Sequence, residues 1–295
     1  MKKTPVFKGA ATALITPFNE SGVDYPALRR LIDWQIEEGI NALVICGTTG
    51  EKSTLGVDEH QRLLEKALEY IDGRVPVIAG TGSNDIAHSV LMTRHACKAG
   101  ADAVLCVTPY YNKATQGGLV KSFFTVADAA EKPVILYNVP SRTGVGIEPA
   151  TYARLGEHEN IVAVKEANSD ISRIVETFAV AGDKLDIYSG NDDQIVPILA
   201  MGGIGVISVL SNPMPAATVE MCRRFFDGDI AGSVKLQTEL LPLIKALFCE
   251  VNPIPVKAAM AAMGFCENRL RLPLVPMESA HEEVLLRLMK EQGLI

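Results

Sequence analysis

Short, uninterrupted apolar runs alternate with longer amphipathic stretches along the first two-thirds of the chain. A strand that is covered on both faces reads as a continuous apolar run, whereas a half-exposed strand alternates apolar and polar residues. The runs here are of the continuous kind, and they lie at residues 10–14, 42–46, 76–79, 103–107, 134–137, 161–165, 186–189 and 205–208. They predict eight buried strands of a parallel sheet.

The stretches between these runs carry apolar residues at the spacing of an amphipathic helix. The clearest predicted helices span residues 26–38, 58–71, 85–99, 171–181 and 194–201. Asp58 and Asn84 suit helix starts, and Gly100 suits a helix end. Eight strand–helix repeats in about 200 residues predict an α/β fold of the (β/α)8 TIM-barrel type. An open doubly wound sheet is the alternative, but the G-x-G-x-x-G motif of its nucleotide-binding form is absent.

The strand pattern ends near residue 214, and only helical patterns follow. These predicted helices span residues 216–226, 230–248, 255–263 and 277–291. The first is expected to complete the barrel, and no linker rich in Pro, Gly or Ser separates the others from it. The sequence therefore predicts a barrel at residues 1–228 and a helical region at residues 229–295 that packs on the barrel.

Composition narrows the class of protein. The chain has 295 residues, with 28 Lys and Arg against 35 Asp and Glu, for a net charge of −7, which is unsuited to binding nucleic acid. No apolar run approaches the ~20 residues that span a membrane, and the N-terminus lacks the apolar segment of a secretion signal. The six cysteines and five histidines show no zinc-ligand spacing. We expect a cytoplasmic enzyme with no metal site and no membrane partner.

In a TIM barrel, catalytic side chains lie where the strands end. Lys165 ends the sixth apolar run, and burial favours the neutral amine, which attacks carbonyl groups. An ion pair of Lys165 with Glu166, or with a neighbouring acid at a strand end, explains the same position equally well. Tyr137 ends the neighbouring run and favours the catalytic interpretation, because a phenol can pass protons to and from a Schiff base. Alone, Tyr137 is more typical of an amphipathic cap.

Two loops are candidate anion sites. Gly47-Thr48-Thr49-Gly50 follows the second run, and its glycines and N–H groups can approach a carboxylate or a phosphate. A plain tight turn is the alternative for this loop. Arg142 lies beyond Tyr137 and can bind a carboxylate with two parallel hydrogen bonds. A solvated surface arginine is the alternative there.

Three strings point to one family in combination: Gly47-Thr48-Thr49-Gly50-Glu51, Tyr137-Asn138-Val139-Pro140 and Val164-Lys165-Glu166-Ala167. In this order and spacing they resemble the pyruvate-dependent class I aldolases, the family of dihydrodipicolinate synthase, N-acetylneuraminate lyase and 2-keto-3-deoxy-sugar-acid aldolases. The resemblance covers essentially the whole chain. It implies a TIM barrel that works through a lysine Schiff base and needs no cofactor.

The resemblance also implies a role for each site residue. Lys165 forms the Schiff base with pyruvate, and a proton relay is made by Thr48, Tyr111 and Tyr137. Tyr111 comes from a neighbouring subunit, so the resemblance implies a homo-oligomer, either a dimer or a tetramer that is built from dimers. Thr49 joins Thr48 in holding the pyruvate carboxylate. Three further residues complete the substrate site: Arg142 for the second carboxylate, and Gly190 and Ile207 as pocket lining.

Paired threonines, Tyr111 and Arg142 set one branch of the family apart, and all are present here. That branch is a lyase that condenses pyruvate with L-aspartate 4-semialdehyde in lysine and diaminopimelate biosynthesis. A sugar-acid aldolase of the same family, acting on N-acetylneuraminate or a 2-keto-3-deoxy-sugar acid, is the first alternative. A non-catalytic regulatory barrel is the second.

The family resemblance further implies a cleft where L-lysine binds in inhibited relatives. Four residues match that cleft: Ser53, His60, Asn84 and Tyr110. Three residues depart from it: Lys52, Val57 and His88, where inhibited relatives carry serine, histidine and glutamate. The loss of a carboxylate and the gain of a positive charge both disfavour a cationic ligand. We therefore expect this cleft not to function as a lysine site.

Overall fold

Eight parallel strands form a closed barrel in the computed structural model, which describes residues 3–295. The strands are β1 (Gly9–Ala13), β4 (Ala42–Ile45), β5 (Val77–Gly80), β6 (Ala103–Val107), β7 (Val134–Asn138), β8 (Ile161–Glu166), β9 (Asp186–Ser189) and β10 (Gly205–Ser208). Their order around the barrel is β1-β10-β9-β8-β7-β6-β5-β4, and a small hairpin of β2 (Phe18–Asn19) and β3 (Gly22–Val23) lies outside it. The predicted TIM barrel is confirmed.

Helices alternate with the strands, and further helices follow β10. They are α1 (Tyr25–Glu37), α2 (Val57–Ile71), α3 (Ile86–Ala99), α4 (Gln116–Asp128), α5 (Pro140–Thr143), α6 (Pro149–Leu155), α7 (Ile171–Ala181), α8 (Ile195–Ala200), α9 (Pro215–Phe226), α10 (Ile230–Ala246), α11 (Ile254–Ala262) and α12 (Ser279–Glu291). None of the helices between residues 3 and 295 is long and apolar enough to cross a membrane.

Most predicted element bounds agree with the structure within two residues, with two local corrections. Asn84 does not cap α3, because the carboxylate of Asp85 accepts the hydrogen bond from Ala87 N at 2.9 Å. Cys46 lies outside β4, because its φ of 58° turns the chain out of the strand conformation. Gly100 ends α3 with a φ of 104°, as predicted for a C-terminal glycine.

The backbone divides into two compact units. One comprises the described residues up to 9 together with 76–207, and it contains β5 to β9 with their helices. The other comprises residues 10–75 and 208–295, and it contains β1, β4 and the helices from α9 onward. The division predicted at residues 228 and 229 stays a prediction.

Candidate active site

Lys165 and Tyr137 are direct neighbours on adjacent parallel strands. The register of β7 and β8 pairs Tyr137 with Lys165 and Asn138 with Glu166. Because side chains alternate along a strand, the first pair projects from one face and the second pair from the other. Lys165 and Tyr137 are both buried, with 5% and 7% of their surface exposed, and the lysine Nζ lies 4.5 Å from the centroid of the tyrosine ring.

The environment of Lys165 lowers the pKa of its amine. The pKa of Lys165 is lowered from 10.5 to about 8, mainly by burial and in smaller part by the nearby positive charge of Arg142. The negative charge of Asp192, a buried side chain after β9, opposes both effects. A substantial fraction of the amine is therefore neutral near physiological pH, as a nucleophile toward a ketone must be.

Glu166 is held by other partners than the lysine beside it. Its carboxylate accepts hydrogen bonds from Asn138 Nδ2 at 2.8 Å, Tyr152 Oη at 2.7 Å and Asn168 N at 2.9 Å. These donors lie on the face of β8 opposite Lys165. Glu166 is therefore not the partner of Lys165, whereas Asp192 after β9 is a neighbouring acid that acts on the charge of the lysine.

Burial raises the pKa of Glu166 from 4.5 to about 7, although its hydrogen-bond donors act in the other direction. The folded state thus binds this proton more tightly than the unfolded state, and the resulting stabilisation is complete below pH 4.5 and lost as the pH rises through 7. We expect the free energy of unfolding to lose up to about 3 kcal/mol from this group over that interval. Glu166→Gln should remove this part of the pH dependence.

Urea denaturation of the wild type and Glu166→Gln at several pH values between 4.5 and 7.5 measures this difference. The exposed Glu157→Gln is the matched control, and its pH dependence should follow that of the wild type. An identical slope for all three proteins would contradict the assignment to Glu166.

Asn138 connects the lysine–tyrosine pair to the segment that carries Arg142. Its amide nitrogen donates to Glu166, while its Oδ1 accepts from Ile147 N at 3.1 Å. Between Asn138 and Ile147 the chain forms the short helix α5, where the Thr143 hydroxyl donates to Val145 O at 2.8 Å. The exposed Arg142 therefore starts from a segment fixed at both ends and acts electrostatically on Lys165.

Gly190 follows β9 at a point where the backbone approaches β8 closely. Its N–H donates to Glu166 O at 2.7 Å, and a Cβ at this position would lie 2.7 Å from the Cβ of Ala167. Only glycine fits there without displacing the end of β8. Ile207, the other predicted lining residue, is fully buried in β10.

The threonine loop, Gly47-Thr48-Thr49-Gly50-Glu51, lies in the second compact unit. Thr48 is exposed, whereas Thr49 is buried, and its Oγ1 accepts a hydrogen bond from Asn252 Nδ2 at 3.0 Å. Two non-glycine residues with left-handed backbone flank the loop, Cys46 with a φ of 58° and Glu51 with a φ of 53°. The loop is thus a tightly held segment flanked by a backbone conformation that non-glycine residues seldom adopt, and its use as an anion site stays a prediction.

Tyr111 points away from its own chain. Its side chain is 90% exposed, and its φ of 70° is unusual for an aromatic residue. Tyr110 before it is half-buried. The structure therefore does not bring Tyr111 into the buried lysine–tyrosine pair of its own chain.

The residues of the predicted lysine cleft fall on both compact units. In one, Asn84 O accepts from Asn112 Nδ2 at 3.0 Å, and His88 is half-buried on α3. In the other, His60 is buried on α2 and Val57 is exposed at the start of that helix. Lys52 and Ser53 lie in a short 3-10 helix, Lys52–Thr54.

The sequence prediction gave no role to three residues that act on Lys165 or on Glu166 beside it: Asp192, Asn138 and Tyr152. Asp192 follows β9 in a polar string, where a carboxylate reads as solvated, and only its burial gives it influence on the lysine. Tyr152 is fully buried on α6, a helix that was not predicted. The signal that could have indicated Asn138 is its position after Tyr137, which places it on the opposite face of the strand.

A closed (β/α)8 barrel with a buried, weakly basic lysine at a strand end defines a TIM-barrel enzyme. The sequence profile of the Dihydrodipicolinate synthetase family matches residues 6–292, and the chain belongs to that family.

Full-length relatives are similar to the chain at high identity. The 4-hydroxy-tetrahydrodipicolinate synthase of Lachnoclostridium phytofermentans is 53% identical over 98% of this chain and 99% of its own length. The protein of that name from Thermoanaerobacter sp. (strain X514) is 51% identical over 99% of this chain and 98% of its own. The crystal structure of dihydrodipicolinate synthase from Thermotoga maritima superposes with a TM-score of 0.96 at 44% identity, covering 99% and 100% of the two chains.

Proposed function

We infer that this chain is a lyase with 4-hydroxy-tetrahydrodipicolinate synthase activity, which condenses pyruvate with L-aspartate 4-semialdehyde in lysine and diaminopimelate biosynthesis. Membership of the family and full-length relatives of that name support the activity. The observation that carries it is the buried Lys165 beside Tyr137, because a neutral amine in a water-poor site is the group that a Schiff-base enzyme requires. We place the enzyme in the cytoplasm.

The reaction begins when Lys165 Nζ attacks the ketone carbon of pyruvate and water leaves, which gives an imine. Loss of a methyl proton converts the imine to an enamine, whose terminal carbon forms the new C–C bond with the aldehyde carbon of the second substrate. The amine of that substrate then attacks the imine carbon, closes the ring and releases Lys165. The imine nitrogen of Lys165 takes up the electron pair when the methyl proton leaves and returns it when the C–C bond forms, so the reaction requires no cofactor.

Each remaining site residue serves a substrate or a proton. Thr48 and Thr49 bind the pyruvate carboxylate through the loop after β4, and Gly190 and Ile207 line the pyruvate pocket. The ring of Tyr137 is centred 4.5 Å from the lysine amine, and we assign to its hydroxyl the exchange of protons with the Schiff base. Thr48 and Tyr111, the latter from a neighbouring subunit, extend the relay. Arg142 binds the carboxylate of the semialdehyde.

Reductive trapping tests the proposal directly. Treatment with pyruvate and borohydride should reduce the imine and add one pyruvate-derived group to the intact protein. Peptide mapping should place that group on Lys165. An adduct on another lysine would contradict the site, and turnover of N-acetylneuraminate without condensation of pyruvate and the semialdehyde would favour the sugar-acid alternative.

We expect the active unit to be at least a dimer, because Tyr111 projects from its own chain with 90% of its side chain exposed. In an isologous interface, each subunit lends the same residue to the other. Analytical ultracentrifugation at assay concentration should show a dimer or a tetramer. Tyr111→Phe should lower kcat by about tenfold or more without altering the oligomer, as expected for loss of one proton-relay group. A fully active monomer would contradict the shared site.

We also expect the activity to be insensitive to L-lysine. His88 and Lys52 replace a carboxylate and a small polar side chain in the cleft, and ~3 kcal/mol from such changes weakens binding by a hundredfold or more. A steady-state assay with L-lysine at fixed substrate concentrations should show no inhibition in the low-millimolar range. His88→Glu is the matched gain-of-function variant, and it should restore part of the sensitivity. Inhibition of the wild type would contradict this expectation.

A further inference from the structure

A buried ion pair anchors the end of the threonine loop. Lys257 Nζ lies 2.8 Å from Glu51 Oε1, and both side chains are completely buried. Glu51 is the last residue of the loop string, whereas Lys257 lies in the first turn of α11, 206 residues further along the chain. The pair therefore joins the loop after β4 directly to the helical region that follows the barrel strands.

Both residues of the ion pair make further hydrogen bonds, to the backbone of Thr16 and of Arg271. Lys257 Nζ also donates to Thr16 O at 2.6 Å, and the hydroxyl of Thr16 donates to Gly50 O at 2.7 Å. The second oxygen of Glu51 accepts from Arg271 N at 3.0 Å. Every polar atom of the pair thus has a defined partner, which is the condition for a buried ion pair to fix one geometry.

A need for stability does not explain this pair. Removing two charges from water offsets most of their mutual attraction, so that apolar residues of similar size usually serve a protein core equally well or better. The loop beside the pair is also held in an unfavourable backbone conformation at Cys46 and at Glu51 itself. Such strain persists where the surrounding structure overdetermines it, and it concentrates at functional segments.

We propose that Lys257 and Glu51 are positioning residues for pyruvate binding, which fix the Thr48–Thr49 loop in the conformation that receives the substrate carboxylate. The pair does not touch the substrate. It acts through Gly50 and through the backbone of Glu51, while Asn252 fixes the side chain of Thr49 from the same helical region. This inference rests on the proposed binding of pyruvate by the threonine loop.

The decisive variant replaces both charges at once, Glu51→Leu with Lys257→Met. Because no unpaired charge remains, the variant should fold, with its thermal midpoint lowered only by the lost hydrogen bonds to Thr16 O and Arg271 N. The pyruvate concentration that gives half-maximal borohydride trapping should nevertheless rise by about tenfold or more, as should KM for pyruvate, while kcat falls by less than about threefold. The matched control carries the same chemical changes in an exposed pair, Glu239→Leu with Lys235→Met on α10, and should change neither quantity.

The outcomes separate the inference from the proposed function. If the wild type forms no pyruvate adduct, the proposed function fails. If the wild type forms the adduct and the double variant traps pyruvate at unchanged concentrations, the positioning role is overturned. Should the double variant not fold, Glu51→Gln decides the matter, because glutamine keeps the size of the side chain and one acceptor oxygen for Lys257 while it loses the charge and the second acceptor. A raised half-saturation in Glu51→Gln supports the role, and wild-type binding overturns it.

Discussion

Lys165→Ala is expected to lower kcat of the condensation by about three orders of magnitude or more, because the covalent step through the amine is lost. Residual turnover should remain from the groups that bind the substrates. The variant should form no pyruvate adduct with borohydride. Circular dichroism should accompany the kinetics to check the fold, because the variant removes the positive charge near the buried Asp192. Condensation kinetics and intact-protein mass together measure the effect.

The exposed Lys98→Ala on α3 is the matched control, and it should keep wild-type rates and form the adduct. The pH dependence of trapping in the wild type provides a second measurement. A pKa of about 8 means that the neutral amine becomes dominant above that pH, so the trapping rate at low pyruvate should rise from pH 7 to about pH 9 and then level off. An adduct that persists in Lys165→Ala would place the Schiff base on another lysine.

The barrel could be predicted from the sequence because its strands are buried on both faces. The continuous apolar run at residues 103–107, for example, marks a strand with the bounds that the structure shows. Elements without such a signature were missed. Helix α4 begins Gln116-Gly117-Gly118, and glycine weakens the helical pattern, while the hairpin of β2 and β3 has only two residues on each strand.

The lysine–tyrosine pair could also be predicted, because both residues end neighbouring strands and the barrel brings strand ends together. The polar network on the opposite face of β8 could not be predicted. Glu166 reads from sequence as a partner for Lys165, and only the register shows that the two side chains leave the strand in opposite directions. The partner Tyr152 lies on α6, whose contact with Glu166 depends on tertiary packing.

The ion pair of Lys257 and Glu51 was still harder to predict from the sequence. A single lysine in a helix normally reads as a solvated residue, although the segment Ile254–Ala262 around Lys257 is otherwise apolar. That composition indicates a buried helix without indicating the partner of its one charge. A glutamate after a glycine-rich loop gives no signal of its own, since its burial comes from chain segments 206 residues away.

Arg142→Ala is expected to weaken use of the semialdehyde by ~2–5 kcal/mol in kcat/KM, as for the loss of a charge partner in a binding site. Pyruvate should still form its adduct, because the Lys165 amine and the threonine loop are unchanged. Arg142→Lys should recover only part of the loss, since an ammonium cannot make the two parallel hydrogen bonds of a guanidinium. Arg173→Ala on α7, an exposed arginine of the same compact unit, is the matched control.

The pH of the assay decides whether the Arg142→Ala experiment measures the use of the semialdehyde separately from the reactivity of Lys165. The positive charge of Arg142 contributes to the lowered pKa of Lys165, so its removal should shift the rise in pyruvate trapping to higher pH. Kinetics of the wild type and Arg142→Ala should therefore be compared above pH 8, where the wild-type amine is mostly neutral, and adduct formation should be measured in parallel. A loss confined to the semialdehyde supports the assigned role. Equal losses for both substrates would show that Arg142 acts mainly through Lys165.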